Sequence, residues 1–420
     1  MDILVIGSGG REHALVVSLS KNSDVGRLFA LPGNAGMASL ATLVPIGTKE
    51  LDRIVRFAKE EMIDFVVVGP DDPLVLGLVD LLEAEGIPCF GPSKRAAILE
   101  GSKVFSKGLM KRYGIPSAAY EVFERVEDAL QYAKDCTLPS VVKADGLALG
   151  KGVVIAYTRD ELLAAIKAMM VDKVFGQSGE KIIIEEFLTG FEISVLTFTD
   201  GVSLRALPSS MDHKRAYDGD QGPNTGGMGA IAPNPYYTPE LQELCMQRIF
   251  LPTMDAMNKE GRTFKGCLYF GLMLTPDGPK VIEYNARFGD PELQAVLPLL
   301  ESDLLSILMA VSQQCLKDVE VNFSSLSSCC VVLASGGYPL CCETGKRITL
   351  SEPEEGIMCL HAGTSFEGES LVTNGGRVLN VVATAETLHE AVEKAYHGVS
   401  FVSFDGMQYR KDIGKIALEA

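Results

Sequence analysis

The sequence predicts a multidomain chain of mixed α/β and α+β class, opening on a doubly wound parallel sheet and closing on a small strand-rich domain. Three observations carry this. The chain is 420 residues long, enough for two to four domains at roughly 100–200 residues each. Apolar residues make up 47% and charged residues 22%, which supplies core material and excludes a disordered chain. Short apolar runs alternate with helical pattern at the N-terminus, the rhythm of βαβ units.

In order, Ile3–Ile6, Arg27–Ala30, Phe65–Gly69 and Pro88–Phe90 read as strands, with helical pattern starting at His13–Ser20 and again over Leu51–Glu61 and Leu74–Glu85. Gly91-Pro92-Ser93 punctuates this block. A second block brings strand Ser140–Lys143, a glycine-rich stretch Ala144–Val153, a helix near Asp160–Met170, and strands Lys181–Phe187 and Glu192–Thr199. A long loop covers Ser209–Asn234, followed by helical Leu241–Asn258. Cys267–Thr275 and Pro279–Asn285 form a hairpin about the turn sequence Pro276-Asp277-Gly278, and Asp290–Ser312 is helical again. From Val321 onward, strands Cys329–Ala334, Ile357–Ala362 and Val378–Thr384 precede a helix over Glu386–Gly398. The expected domains are 1–101, 102–320 and 321–420.

The net charge is −17, which argues against nucleic-acid partners, since these need a basic face. It leaves room for an anionic small molecule held by a local cluster of Lys and Arg. Ten cysteines without a C-x-x-C, and five histidines, make neither a disulfide scaffold nor a structural zinc site. Reduced thiols in a cytoplasmic protein are the expectation. No run approaches the roughly 18–20 apolar residues of a membrane span, and the N-terminus is a poor secretory signal.

Gly7-Ser8-Gly9-Gly10-Arg11 closes the first strand and opens a helix, a place where backbone N–H groups meet an anion. It fails as a dinucleotide fingerprint, because Glu12 stands where the third glycine belongs. A tight turn without ligand fits equally; Arg11 favours a phosphate or carboxylate. Lys143-Ala144-Asp145-Gly146 through Gly150-Lys151-Gly152 is no Walker A loop, since Gly follows Lys151 where Ser or Thr is needed. A glycine-rich hairpin carrying Lys143 and Lys151 suits folding onto a triphosphate. Ile182–Leu188 is an apolar strand ending in Glu185 and Glu186, able to offer backbone to an adenine edge, with Glu192 nearer a ribose.

Val281–Glu292 is the most informative stretch. Strand alternation puts Glu283 and Asn285 on one face, with Arg287 extending the row. A carboxylate and an amide oxygen are hard ligands for Mg²⁺ or Mn²⁺, and Arg287 is placed to brace a transferring phosphoryl group. The bland alternative is the polar face of an edge strand. The long loop holds Lys214 and Arg215 beside Gly222–Ala230, an expected anion-binding loop; His213 alone reads as structural.

These motifs, in this order, resemble the phosphoribosylamine–glycine ligase family, ATP-grasp enzymes of purine biosynthesis. The resemblance runs through GSGGREHAL, LPGNAG, VGPDDPLVLGLVD, FGPSKRAAILEGSK, VKADGLALGKGV, IIEEFL, DHKR, GPNTGGMGA, VIEYNARFGDPE, SGGYP, HAGT, TNGGRVL and RKDIG. Leu149, Asp71 and Met211 depart from the usual Ala, Glu and Gln, and Leu340-Cys341-Cys342 replaces a Gly-containing segment.

The resemblance implies a Rossmann-like N-terminal domain, a two-part ATP-grasp region with a lid at about 118–187, and a small C-terminal domain. It implies ATP with Mg²⁺ or Mn²⁺ as cofactors, and glycine and 5-phosphoribosylamine as substrates joined through glycyl phosphate. On that basis Lys103, Lys143 and Lys151 hold ATP phosphates, Glu185, Glu186, Phe187, Leu188 and Glu192 hold adenine and ribose, and Glu283 and Asn285 hold metal. Arg287 stabilises the transferring and acyl phosphates, with Lys214 as helper. Asn224, Thr225, Gly226, Gly227, Met228, Gly229 and Asp290 face the substrates, and Gly9, Gly10 and Arg11 face the ribose phosphate. Nothing implies an obligate protein partner. The chain's stopping soon after Arg410–Gly414 leads to the expectation of a stand-alone enzyme. Three alternatives stay open: another ATP-grasp carboxylate–amine ligase, a nicotinamide oxidoreductase, and a catalytically dead nucleotide-binding regulator.

Overall fold

The computed structural model describes residues 1–147 and 152–419. Five parallel strands form the first sheet, in the order Thr42–Leu43, Leu28–Pro32, Ile3–Gly7, Phe65–Val68, Cys89–Phe90. The strand Ile3–Gly7 is central and buried along its whole length, which is why it reads as an unbroken apolar run. The helical pattern expected over 74–85 splits at Gly77, whose left-handed φ of +100° ends helix Asp71–Leu76 and opens Leu78–Ala84. Glycine takes that conformation without a Cβ clash.

Two four-stranded antiparallel sheets follow. The first runs Tyr120–Phe123, Ile182–Glu186, Ser140–Ala144, Val153–Ala156; the second runs Leu204–Ala206, Phe191–Thr199, Gly266–Thr275, Gly278–Asn285. The first sheet has a small core of its own, built on Val142, Ile166, Met169, Ile182 and Ile184 under helix Arg159–Met170. The second shares its core with the N-terminal sheet: Phe250, Phe270 and Tyr284 pack in one cluster with Leu4, Ile6 and Val66. The first sheet is thus a lightly anchored layer over a continuous body.

The third region overturns the expected loop Ser209–Asn234. Its residues form short strands Met211–Asp212, Arg215–Tyr217, Gln221–Asn224 and Gly229–Ala232. Two of these join the C-terminal sheet, in the order Met211–Asp212, Gly229–Ala232, Ser327–Ala334, Arg377–Ala385, Ile357–His361. Glycine and proline density hides strands whose pairing partner lies a hundred residues away. The helix expected over 290–312 is also divided, into Glu292–Val296 with a 3₁₀ turn Leu297–Leu299, then Leu304–Ser312 capped by Asp303.

Candidate active site

The site is built where the lid-like sheet meets the hairpin Gly266–Asn285. In that hairpin the pairing register skips Ile282, since Gly271 faces Glu283 and Leu272 faces Val281. A bulge removes one residue from the ladder, and the Ile282 carbonyl accepts from Lys143 Nζ across the gap at 3.2 Å. Lys143 also lies 3.0 Å from Glu185 Oε2, and Lys107 Nζ approaches the same oxygen at 3.2 Å. Strand alternation turns Glu185 inward, while its neighbour Glu186 is exposed, accepting from Ala119 N–H at 3.1 Å. Past Glu186 the strand ends, and Phe187 and Leu188 lie half-buried at its exit. Lys103 donates to the Gly146 carbonyl at 2.9 Å, at the foot of the glycine-rich stretch. Lys151 lies outside the described residues.

Glu283 is the electrostatic centre. Burial on its own pushes its carboxyl upward, but Lys214, Lys143, Lys103 and Arg287 outweigh this and hold it below the usual carboxylate range. No hydrogen bond or ion pair occupies that carboxylate among the described residues. An ionised, directly unpaired oxygen donor two residues from the Asn285 amide oxygen fits a hard divalent cation. Protein donors are few, as no group of three His, Cys, Asp or Glu suited to a metal occurs among the described residues. Such a cation would therefore take its other ligands from water and phosphates.

Arg287 is fixed from behind. Its Nη2 lies 3.2 Å from Glu100 Oε1 and 3.3 Å from Asn285 Oδ1, and its Nη1 donates to Phe288 O at 3.1 Å. Glu100 also accepts from Ala286 N–H at 2.7 Å, so one buried carboxylate orients both backbone and guanidinium. Arg287 Nε is buried without a partner. Lys214 is paired with Glu192 at 3.1 Å; burial works against its charge, but Glu192, Tyr269, Glu283 and Asp212 raise its pKa well above the ordinary lysine value. It is a permanent cation here. His213 is structural, its Nε2 accepting from Gly414 N–H at 3.1 Å and its pKa pushed down by burial to about 4.

The glycine-rich loop divides in two. Asn224 lines an open cavity of about 400 Å³ with Val153–Ile155, Arg215 and Pro339–Leu340. Thr225 Oγ1 donates to Lys214 O at 2.9 Å and accepts from Gly227 N–H at 2.9 Å, tying the loop to the lysine. Gly226 and Gly227 carbonyls both receive Arg377 Nη1. Met228 is fully buried and Gly229 lies inside the C-terminal sheet, where a Cβ would come within 2.6 Å of Cys330 O. Any part these two play in holding a substrate falls to their backbone.

Gly9, Gly10 and Arg11 also stand differently from an open anion site. The Gly9 N–H donates to Glu12 at 2.6 Å, the Arg11 N–H to Asp290 at 3.3 Å, and the Arg11 guanidinium is held by Glu12 and Phe288 O. Internal carboxylates cap this helix, and the turn is closely packed: a Cβ on Gly10 would meet Gln294 Nε2 at 2.5 Å. Asp290 is the hub: Arg377 Nη2 at 3.2 Å and Gln294 Nε2 at 2.8 Å join Arg11 on its carboxylate, and despite burial these groups hold its pKa low. Glu100, Lys107 and Arg377 escaped the sequence reading. Only Arg377 carries a local signal, the preceding Gly375-Gly376 at a strand start.

Two antiparallel sheets joined across a row of lysines and carboxylates suit a polyanionic ligand, and the sequence matches place the chain in the ATP-grasp class. Sequence models of the phosphoribosylglycinamide synthetase N domain, ATP-grasp (A) domain and C domain match residues 1–100, 101–293 and 328–416. A phosphoribosylamine–glycine ligase of Halalkalibacterium halodurans is 47% identical over 419 residues, covering 100% of this chain and 97% of that one. That of Caldanaerobacter subterraneus is 45% identical, covering 98% and 99%. The crystal structure of the Thermotoga maritima phosphoribosylamine–glycine ligase superposes with a TM-score of 0.87 at 36% identity, covering 98% of this chain and 100% of that one. Against the bifunctional purine biosynthetic protein of Schizosaccharomyces pombe, this chain spans 53% of the relative's length at 47% identity. The chain belongs to the phosphoribosylglycinamide synthetase family.

Proposed function

We propose that the chain joins glycine to 5-phospho-β-D-ribosylamine at the expense of ATP, giving N1-(5-phospho-β-D-ribosyl)glycinamide, ADP and phosphate in purine biosynthesis. The observation that carries this is the convergence of Lys103, Lys143, Lys214 and Arg287 on Glu283, a concentration of positive charge around one ionised carboxylate. That array suits phosphoryl transfer by positioning and charge neutralisation.

A free carboxylate does not acylate an amine, because its leaving group would be oxide. Attack of a glycine carboxylate oxygen on the γ-phosphorus forms a C–O–P link and breaks the bond to ADP. The ribosylamine nitrogen then attacks the glycyl carbon, phosphate leaves, and the nitrogen loses a proton. We assign Lys103, Lys143 and Lys151 to ATP phosphates, Glu185–Leu188 and Glu192 to adenine and ribose, and Arg287 with Lys214 to the transferring phosphoryl group. Glu283 and Asn285 would hold Mg²⁺ or Mn²⁺, whose contribution when bound is to neutralise and orient phosphate oxygens. Asn224–Gly227, Asp290 and Arg11 are assigned to the two small substrates.

We retain the division at 101 and 320, with the sheet over 118–187 as the lid that keeps water from the acyl phosphate. Ten unpaired cysteines suit a reducing cytoplasm, and no described helix is long and apolar enough to cross a membrane. The test is phosphate release from ATP with glycine, ribosylamine and Mg²⁺ omitted in turn. Loss of turnover on each omission is expected; steady turnover without any amino acid overturns the reading. Oxygen exchange between glycine carboxylate and phosphate would mark the acyl phosphate.

A further inference from the structure

Glu185 presents a charge problem that the proposed site does not solve. Its side chain is 3% exposed, and its Oε2 is shared by Lys143 at 3.0 Å and Lys107 at 3.2 Å. Oε1 has no partner. A carboxylate buried this deeply is costly to leave unpaired. Two of the three N–H donors of Lys143 are directed at Glu185 and the Ile282 carbonyl, so a triphosphate must compete with the Glu185 carboxylate for its charge.

Lys107 sits four residues after Lys103 on helix Lys103–Tyr113, so both lysines project from one face. Lys103 turns to Gly146 O, at the glycine-rich stretch. Lys107 is 2% exposed and makes no hydrogen bond; its close neighbours are Glu185 Oε2 and the Tyr120 ring, with Nζ 5.9 Å from the ring centroid. Tyr120 is on the strand paired with Glu185 itself. The carboxylate that pairs with this ammonium is Glu185.

We propose that Lys107 is a positioning residue that carries the charge of Glu185, so that Lys143 is released to bind nucleotide phosphate. The proposal rests on the nucleotide site assigned above. One carboxylate oxygen faces two cations. When Lys143 moves to phosphate, Lys107 remains, and the free Oε1 gives it room to pair more fully. Without Lys107, the buried carboxylate would retain Lys143, and nucleotide would have to compete with it.

The experiment measures binding of a non-hydrolysable ATP analogue with Mg²⁺ to the full chain by calorimetry. Lys107→Met is expected to weaken Kd by about tenfold or more, and Lys107→Arg to stay within about threefold. The decisive comparison is Lys107→Met combined with Glu185→Gln against Glu185→Gln alone, since Glu185 itself belongs to the assigned nucleotide site. With the carboxylate charge already removed, adding Lys107→Met should change affinity by less than about threefold. A further loss on the Glu185→Gln background as large as in the wild type overturns the proposal and leaves Lys107 a packing residue. Wild-type binding by Lys107→Met overturns it too. Lys143→Met separates the two readings: if it binds normally, the nucleotide site is misassigned; if it binds weakly while Lys107→Met does not, only the present inference fails. Should Lys107→Met not fold, Lys107→Gln is read against the same limits.

Discussion

Arg287 is oriented before substrate arrives, because Glu100, Asn285 and Phe288 O already hold its two terminal nitrogens. A charge fixed in advance stabilises a transition state without reorganisation. Arg287→Ala is therefore expected to lower kcat by about a hundredfold or more, with ATP-analogue affinity within about threefold; equal losses in both would make Arg287 a ground-state binder. Glu283→Gln keeps shape and removes the charge that four cations hold ionised. The Mg²⁺ titration of activity should move to about tenfold higher concentration, and an unmoved titration would remove Glu283 from the metal. Strand alternation placed Glu283 and Asn285 on one face, while Arg287 lies beyond the strand, which ends at Asn285. Alternation could not find Glu100, which reaches Ala286 across 186 residues of sequence, or Arg377, which reaches Asp290 across 87. Neither periodicity nor composition encodes a contact of that separation.

The sheet proposed as a lid and the parallel sheet differ in how they are held. Strand Ile3–Gly7 is buried between layers, whereas Ser140–Ala144 and Val153–Ala156 rest on a separate small core. Few shared apolar contacts mean a low local opening energy. Adding an ATP analogue should slow amide exchange in Ser140–Ala144 and Ile182–Glu186 and leave Ile3–Gly7 unchanged; equal slowing in both would deny the lid an independent motion. Helix Arg159–Met170 begins with a capping box, Thr158 accepting from Glu161 N–H and Glu161 from Thr158 N–H. Thr158→Ala should cost about 1 kcal/mol, seen as faster exchange confined to the lid. The parallel strands were plain in the sequence because both faces are apolar. The strands within 209–234 were not, since Gly227 and Gly229 serve close packing against Asp212 and Cys330 rather than coil.

The three regions are tied by buried polar contacts. His361 N–H donates to His13 Nδ1 at 2.7 Å, and Asn34 bridges Ser8 O and His361 O, both at 2.9 Å. Arg410, 1% exposed, clamps Asp220 and Asp412 and so pins the glycine-rich loop to the C-terminal tail. Burial pushes the pKa of His13 down to about 3, and those of His213 and His361 to about 4. The unfolded chain, with histidines near 6.5, binds more protons than the folded one below that value. The stabilisation is thus complete above about pH 6.5 and is lost as pH falls toward about 4. Calorimetry should show Tm lower at pH 5 than at pH 7.5 by about 3 °C or more; a flat or rising Tm over that interval would mean these rings are solvated or paired as cations.

Class, order of elements and the face of the Glu283 strand followed from neighbouring residues alone, because side-chain period and turn chemistry act within a few positions. Which charges meet was settled by packing. The caps on Gly9 and Arg11, the burial of Met228, the anchoring of Arg287 by Glu100 and the sharing of Glu185 by two lysines all arise where segments remote in the chain exclude water together. There the cost of an unpaired charge, not local propensity, selects the partner.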